Sequence, residues 1–224
     1  ESLPVVKFSQ VIATGEDRPL KPTKQNRETL ATLLYTSGTT GKPKGVMLTH
    51  GNLLYQINVL GALIQPNPGE CSLNILPTWH TFGRTGEYFF LSQGCTQVYT
   101  NKRSLKKDFQ EYKPHYVTSV PRVWELIYEG VQKQLREQPA SKQKLAQFFL
   151  GISQRYIQAR RISQGLVLQL DPPSQSQKLL ATLQSWALLP LHRLGEKIIY
   201  QKIRQATGGR LKFAISGGGS LAMH

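Results

Sequence analysis

The chain has 224 residues, 39% of them hydrophobic, and 28 Lys and Arg against 13 Asp and Glu give it a formal net charge of +15. No apolar run reaches the ~18 residues that a membrane-spanning helix needs, so no transmembrane helix is expected. The strong positive charge favours an anionic partner such as an acidic protein, an anionic membrane surface or nucleic acid.

Both ends of the chain and its cysteines are informative. The chain starts Glu1-Ser2-Leu3-Pro4, with neither an initiator Met nor a basic and apolar secretory signal, and its last segment, 217–224, follows straight on from an apolar run. We therefore expect a piece of a longer protein. Cys71 and Cys95 have no metal-ligand spacing. Reduced thiols in a cytoplasmic protein are the simplest interpretation, although a disulfide between them stays open.

Short apolar runs alternate with helical patterns along most of the chain. Strands are predicted at 30–35, 46–48, 72–76, 96–99, 116–120 and 211–215. After Asn52, a suitable N-cap, Leu53, Ile57, Leu60 and Ile64 share one helical face, and a Pro- and Gly-rich turn at 66–69 ends that helix. This alternation predicts an α/β fold with a mostly parallel sheet flanked by helices.

Residues 120–205 differ from the rest, because they form a basic helical section. Two apolar stripes at helical spacing lie within 123–135 and 145–156, and a third helical stretch covers 179–204 with a break or kink expected near Pro190. Lys and Arg occupy the opposite faces. These faces are either simply solvated or dock an anionic membrane surface or an acidic carrier protein. Nucleic acid is disfavoured, because no nucleic-acid-binding signature is present.

The stretch from Tyr35 to Val46, Tyr-Thr-Ser-Gly-Thr-Thr-Gly-Lys-Pro-Lys-Gly-Val, combines glycines, hydroxyls and lysines between two short strands. Glycines let backbone N–H groups approach an anion, and hydroxyls and lysine add donors and charge. The stretch is not a Walker A loop, since only two residues separate Gly38 from Gly41-Lys42. An ordinary turn is the alternative, but the repeated hydroxyls favour a phosphate-binding loop.

This stretch resembles the phosphate-loop signature of the AMP-forming acyl-adenylating enzymes. Two further segments occur in the matching order: Leu76 to Arg84, which resembles the segment carrying a gate beside the acyl pocket, and Ser216 to Leu221, which resembles the Gly-rich strand end along the adenine and acyl group. The continuation at 82–88 and the segment 119–125 look most like the long-chain fatty acyl branch, nearest to cyanobacterial and plastid-type acyl–acyl-carrier-protein synthetases. The resemblance covers essentially the whole chain.

The resemblance implies roles for particular residues. Thr36, Ser37, Gly38, Thr39, Thr40 and Gly41 would hold the phosphates of ATP, with Mg²⁺ bridging the phosphate oxygens, and Gly217, Gly218 and Gly219 would lie along the adenine. Lys44, Thr39 and His80 would be the catalytic set. Lys44 would offset charge on the departing pyrophosphate, and His80 would orient groups near the carboxylate. No protein metal ligand is predicted, and His50, His115 and His192 are interpreted as structural.

The implied reaction activates a long-chain fatty acid as acyl-AMP and then transfers it to the thiol of CoA or of acyl carrier protein; the sequence does not decide between these acceptors. The alternative is a non-catalytic module that binds nucleotide or an anionic membrane. Residues 1–224 would form part of the large N-terminal adenylation domain of a cytoplasmic protein, and peripheral contact with a membrane stays open. Because the family's Tyr-Gly-x-Thr-Glu segment and C-terminal domain are not in the sequence, we expect this chain alone to complete neither half-reaction.

Overall fold

The computed structural model describes residues 5–15, 18, 21–36, 41–167 and 172–221. The chain divides into two compact units, Glu1–Tyr55 and Gln56–His224. The α-helices are α1 (Phe8–Gly15), α2 (His50–Leu63), α3 (Thr81–Ser92), α4 (Leu105–Tyr112), α5 (Pro121–Arg136), α6 (Ala140–Ser163), α7 (Gln175–Gly195) and α8 (Gln201–Arg204). The strands are β1 (Leu30–Thr36), β2 (Lys44–Thr49), β3 (Cys71–Asn74), β4 (Thr96–Tyr99), β5 (Tyr116–Ser119) and β6 (Phe213–Ser216). None of the described helices combines the length and apolar content needed to cross a membrane.

The first unit is built around an antiparallel hairpin of β1 and β2, which brings Thr36 opposite Lys44. The chain then enters α2 through a reciprocal cap. The Thr49 hydroxyl accepts a hydrogen bond from the Asn52 N–H, and Asn52 Oδ1 accepts from the Thr49 N–H. The prediction that Asn52 is the N-cap was therefore wrong. Thr49, which directly precedes the helix, takes the N-cap position, and Asn52 takes the N3 position of a capping box. In this arrangement the side chain of each residue accepts a hydrogen bond from the backbone N–H of the other.

The second unit contains a fully parallel four-stranded sheet in the order β4-β3-β5-β6. This confirms the predicted α/β class and the parallel sheet. Strand order reverses at β3, since the chain moves to one side for β4 and to the other for β5 and β6. Crossover helices lie on both faces of a sheet with such a reversal, because each crossover is right-handed.

Successive side chains of β5 point to opposite faces of the sheet and therefore belong to two separate hydrophobic cores. Tyr116 packs with Phe89 and Phe90 of α3 on one face, and Val117 packs with Phe109 of α4 and with Val123 on the other. Both faces of the sheet are therefore covered, as is usual for parallel strands. The sheet lies between two helical layers, and its central strands β3 and β5 are buried along their whole length.

The helices α3 and α4 were not predicted. The segment Phe82-Gly83-Arg84-Thr85-Gly86 contains two glycines, which individually disfavour a helix. Packing requires them, because a Cβ on Gly83 would lie 2.7 Å from the Pro77 carbonyl oxygen and one on Gly86 would lie 3.2 Å from Thr118 Oγ1. The short helix α4 buries only Leu105 and Phe109, one turn apart, which is too brief a pattern for recognition in the sequence.

The helical section 121–204 contains the predicted helices, and of the break or kink predicted near Pro190 no break occurs. Helix α7 runs through Pro190 to Gly195, and the chain then forms one π-helical stretch at Glu196–Tyr200. Proline removes a single N–H donor from position 190, and the neighbouring turns of a long packed helix continue past it. Strand β6 also begins two residues later than predicted, since the N–H groups of Lys212 and Phe213 both reach the His115 carbonyl.

Candidate functional site

The carboxyl ends of β3 and β5 are the natural place for a ligand in this sheet. They are adjacent and parallel, and they flank the point where strand order reverses. Crevices at such a point bind ligands in open α/β sheets, because the loops leave the sheet in opposite directions there. The residues that follow these strands, together with those that follow β6, include His80, Pro121 and Gly217 to Gly219.

His80 ends the loop after β3 and caps α3. Its backbone is extended, with φ −93° and ψ 138°, and its Nδ1 accepts a hydrogen bond of 3.3 Å from the Phe82 N–H. A neutral imidazole that accepts at Nδ1 carries its proton on Nε2, so the outer nitrogen of the exposed ring is a donor. His80 is thus held in an orientation suited to donating a hydrogen bond to an anion. Trp79 beside it is 72% exposed.

The glycines after β6 meet the same helix end. The Gly217 N–H continues the sheet by donating to the Ser119 carbonyl at 3.1 Å. A Cβ on Gly217 would lie 2.7 Å from Cζ of Phe82, so a side chain at this position would collide with that ring. Two segments separated by more than a hundred residues in sequence, at His80–Phe82 and Gly217, therefore lie together at the carboxyl edge.

The next two glycines continue along β5. Gly218 has φ +79°, a conformation that residues with a side chain rarely adopt, and a Cβ there would contact Val120 at 3.7 Å. A Cβ on Gly219 would contact Pro121 at 3.6 Å. Both glycines are exposed, so this edge presents bare backbone above the end of β5. Such a surface lets a flat ligand approach closely, as the sequence resemblance implied for adenine.

Sequence reasoning missed a set of hydroxyl side chains at this edge. Thr118 and Ser119 end β5, Ser216 ends β6, and the buried hydroxyl of each has no hydrogen-bond partner among the described residues. Buried polar groups in folded proteins almost always have partners, so each of these groups requires a reason. The available signal was the occurrence of small polar residues at the last positions of predicted strands, where parallel sheets place their ligands.

The phosphate-type loop belongs to the first unit. Thr36 is the last residue of β1 and Lys44 the first of β2, and the Thr36 hydroxyl lies 3.5 Å from the Lys44 carbonyl oxygen. Gly41 has φ +78° and open space around it. Ser37, Gly38, Thr39 and Thr40 lie outside the described residues. The hairpin thus holds the two ends of the loop together, and the exposed Lys44 stands at its exit.

The donors that this loop offers suit phosphate oxygens better than a bare metal ion. Its side chains are hydroxyls and lysines, which donate hydrogen bonds, whereas Mg²⁺ prefers oxygen ligands such as carboxylates. Across the described residues, no group of three or more His, Cys, Asp or Glu is placed to hold a metal. A Mg²⁺ ion at this loop would therefore be held mainly through the phosphates of a bound nucleotide.

The remaining histidines have structural contacts, as predicted. His115 Nδ1 accepts a hydrogen bond of 3.0 Å from the Cys71 N–H. His192 stacks on Tyr156 with ring centroids 4.2 Å apart. Burial, together with the nearby Arg204 and Arg160, lowers the pKa of His192, so this ring is neutral near pH 7. The His50 N–H donates to the Thr29 carbonyl at the start of α2. Cys71 and Cys95 are free buried thiols, which excludes the disulfide.

Known proteins resemble this chain along nearly its whole length. It is 40% identical over 99% of its residues to the probable acyl-activating enzyme 16, chloroplastic, of Arabidopsis thaliana, covering 33% of that protein. It is 39% identical, with the same coverage, to the chloroplastic long-chain-fatty-acid–[acyl-carrier-protein] ligase AEE15 of the same plant. Long-chain-fatty-acid–CoA ligase 2 of Schizosaccharomyces pombe is 28% identical over 97% of the chain. The chain spans about a third of the length of the first two relatives.

The AMP-binding enzyme family matches residues 2–223, which include the hydroxyl-rich loop, His80 and all three glycines of the carboxyl edge. This match agrees with the family indicated by the sequence motifs. The chain therefore belongs to the AMP-binding enzymes.

Proposed function

We propose that the protein containing this chain is an ATP-dependent acid–thiol ligase that activates long-chain fatty acids. The observation that carries the proposal is the hydroxyl- and glycine-rich loop between Thr36 and Lys44, in a chain that belongs to the AMP-binding enzymes. The names of the relatives describe ligases of long-chain fatty acids with CoA or with acyl carrier protein. These names favour a catalytic protein over a module that only binds nucleotide or membrane.

The proposed reaction has two steps. An oxygen of the fatty carboxylate forms a bond to the α-phosphorus of ATP, and the bond from that phosphorus to the bridging oxygen breaks, releasing pyrophosphate. The sulfur of a thiol, which loses its proton, then bonds to the acyl carbon, and AMP leaves. The acceptor is the thiol of CoA or of acyl carrier protein. The basic surface of the chain, at +15, favours the acidic carrier protein.

The residues have distinct roles in this proposal. Hydroxyl and backbone N–H groups of Thr36 to Gly41 hold the β- and γ-phosphates, Thr39 belongs to the catalytic set, and Lys44 neutralises charge on the departing pyrophosphate. Bound Mg²⁺ supplies further charge neutralisation at the phosphates. Gly217 to Gly219 give the adenine a bare backbone surface, and the Nε2 donor of His80 orients the carboxylate. Residues 1–224 form part of the adenylation domain, and a cytoplasmic location is proposed with it.

Lys44→Ala tests the proposal in the full gene product. Loss of one well-placed charged donor lowers the rate by about 10²–10³-fold. We expect that reduction in fatty-acid-dependent exchange of pyrophosphate into ATP. Lys42→Ala is the matched control, since it removes an exposed lysine of the same loop that is given no role, and a change below about tenfold is expected. Normal exchange by Lys44→Ala would overturn the proposal.

A further inference from the structure

The fully buried residues of helix α7 are small, Leu188 and Leu189 are half-buried, and most of its other large apolar residues are exposed. Ala181, Ser185 and Gly195 are buried where α7 packs along α6. A Cβ on Gly195 would lie 2.8 Å from the Phe149 ring of α6, so the two helices approach closely there. The Tyr200 hydroxyl, just after α7, donates a hydrogen bond of 2.5 Å to the Phe149 carbonyl. The close contact of α7 with α6 is thus made mainly through small residues, with Leu188 half-buried among them.

The other face of α7 carries a continuous apolar surface, which we call the α7 stripe. Its members are Leu179, Leu180, Leu183, Trp186, Leu191 and Leu194. At 100° per residue they fall in one sector of about 140°, and they extend over about 22 Å of helix. Their exposed fractions range from 39% at Leu191 to 76% at Trp186. An amphipathic helix of a globular protein normally shows the reverse arrangement, with its large apolar residues buried.

The charged residues of α6 and α7 indicate which kind of partner would bind the α7 stripe. Helix α6 carries five Lys or Arg, α7 carries two, and neither helix contains an Asp or Glu. The five on α6 are all exposed, as are Arg193 beside the stripe and Lys197 just beyond its end. A second copy of the chain would bring the same positive charges into contact with these, so self-association through the stripe is disfavoured.

A partner must therefore offer both negative charge and an extended apolar region. An acidic protein would pair with the cations. Six large apolar side chains along one helix face, however, also need an extended apolar region into which they can insert. The surface of an anionic lipid bilayer provides both, because its headgroups carry the charge and its acyl chains lie directly beneath. Trp is enriched at this boundary, with its ring at headgroup level. Large exposed apolar patches generally mark such interaction sites.

We propose that α7 lies in the surface of an anionic lipid bilayer, with the α7 stripe inserted among the acyl chains and the exposed cations Arg193 and Lys197 at the headgroups. In this arrangement the long axis of α7 is parallel to the membrane plane. Binding requires neither ATP nor a fatty acid, so it stands or falls independently of the ligase reaction proposed above.

The test is flotation of the full gene product with vesicles, without ATP or fatty acid. One set contains phosphatidylcholine alone, and in the other part of it is replaced by phosphatidylglycerol. The stripe variant is Leu183→Gln with Trp186→Gln. The matched control is Leu63→Gln with Leu91→Gln, which changes two leucines that are 72% and 55% exposed on other helices. We expect the parent and the control to bind anionic vesicles and the stripe variant to bind at least tenfold more weakly.

Two further measurements sharpen the outcome. Trp186 emission should shift to shorter wavelength with anionic vesicles and be quenched by lipids labelled in the acyl chain, and Trp186→Phe should remove both signals. Raising the salt concentration should weaken binding, because the headgroup attraction is screened. Equal binding by the parent and the stripe variant would overturn the proposal.

Results that place another partner on the stripe would overturn it as well. A stripe variant with a markedly lower Tm than the control would show that the rest of the protein covers these residues. Concentration-dependent dimerisation that only the stripe variant loses would assign the face to a second copy. Loss of carrier-protein binding with vesicle binding intact would assign it to an acidic protein.

Discussion

The two edges of the parallel sheet at which the strands begin and end differ in whether their polar side chains have hydrogen-bond partners. We call them the amino edge and the carboxyl edge. At the amino edge, Glu70 accepts hydrogen bonds from the Asn67 N–H at 3.0 Å and from the Tyr116 hydroxyl at 2.7 Å, and it pairs with Lys212. At the carboxyl edge, the buried hydroxyls of Thr118, Ser119 and Ser216 have no partner among the described residues.

The difference separates stability from binding. A fully satisfied polar network stabilises the fold, and breaking it is costly. Unpaired hydroxyls contribute little to stability, and the exposed backbone of Gly218 and Gly219 leaves space for a ligand. At β5 and β6, the paired polar groups thus lie at the amino ends of the strands and unpaired hydroxyls lie at their carboxyl ends. Variants at the two edges should therefore differ in what they change.

The largest effect is expected from Gly217→Ala at the carboxyl edge. The new Cβ would meet the Phe82 ring at 2.7 Å, so the ring or the loop must move. Overpacking of this kind costs about 1–3 kcal/mol of stability. A displacement of about 1 Å at a reacting site lowers activity by about 10²-fold. Chemical denaturation and pyrophosphate exchange measure the two effects.

Gly130→Ala is the control for Gly217→Ala. Gly130 lies within α5, and a Cβ added there would meet no other atom within 4 Å, so the same substitution should raise stability by about 0.5–1 kcal/mol. If Gly217→Ala kept both full stability and full activity, the packing of Phe82 on Gly217 would not matter for the site.

Glu70→Gln at the amino edge should reduce stability without affecting the chemistry directly. Burial alone would raise the pKa of Glu70, but hydrogen bonds from Lys212, Tyr116 and Asn67 lower it from 4.5 to about 2. The charged carboxylate is therefore the form that stabilises the fold. Removing its charge should lower the free energy of unfolding by about 1.5–3 kcal/mol at neutral pH.

The same substitution also predicts a pH dependence. The folded pKa of Glu70 is depressed, so its contribution is complete above about pH 4.5 and is lost as the pH falls towards 2. The difference in unfolding free energy between the parent and Glu70→Gln should therefore shrink over this window. A difference that stayed constant with pH would show that the ionised carboxylate is not the stabilising group.

The smallest change in stability is expected from Ser119→Ala. Its hydroxyl is buried without a partner among the described residues, so removing it should change the free energy of unfolding by less than about 0.5 kcal/mol. The KM for ATP or for the fatty acid should rise if the hydroxyl contacts either one. Tyr116→Phe, on the same strand, is the comparison and should cost about 1 kcal/mol. A loss for Ser119→Ala as large as that for Tyr116→Phe would contradict the contrast between the edges.

Much of this could be predicted from local sequence, for physical reasons. The α/β class follows from alternating apolar periods, and the strands at 30–36, 96–99 and 116–119 lie within a residue of their predicted bounds. The hydroxyl-rich loop identified the family because its residue types are set by phosphate chemistry and not by packing. The role of Thr39 and the loop's interior fall on residues that the structure does not describe.

Tertiary structure decided what depends on contacts between distant segments. Helix α3 forms despite Gly83 and Gly86 because those glycines let it lie against Pro77 and Thr118. The placement of His80 beside Gly217 required the strand order β4-β3-β5-β6, which no local pattern encodes. The leucines of α7 likewise follow a helical pattern in the sequence, and only the packing of α7 on α6 decided that the α7 stripe is exposed while Leu188 and Leu189 are half-buried. Residue types by themselves thus determined which chemical groups the chain carries. Close packing between segments that are remote in sequence determined which of these groups lie on accessible surfaces.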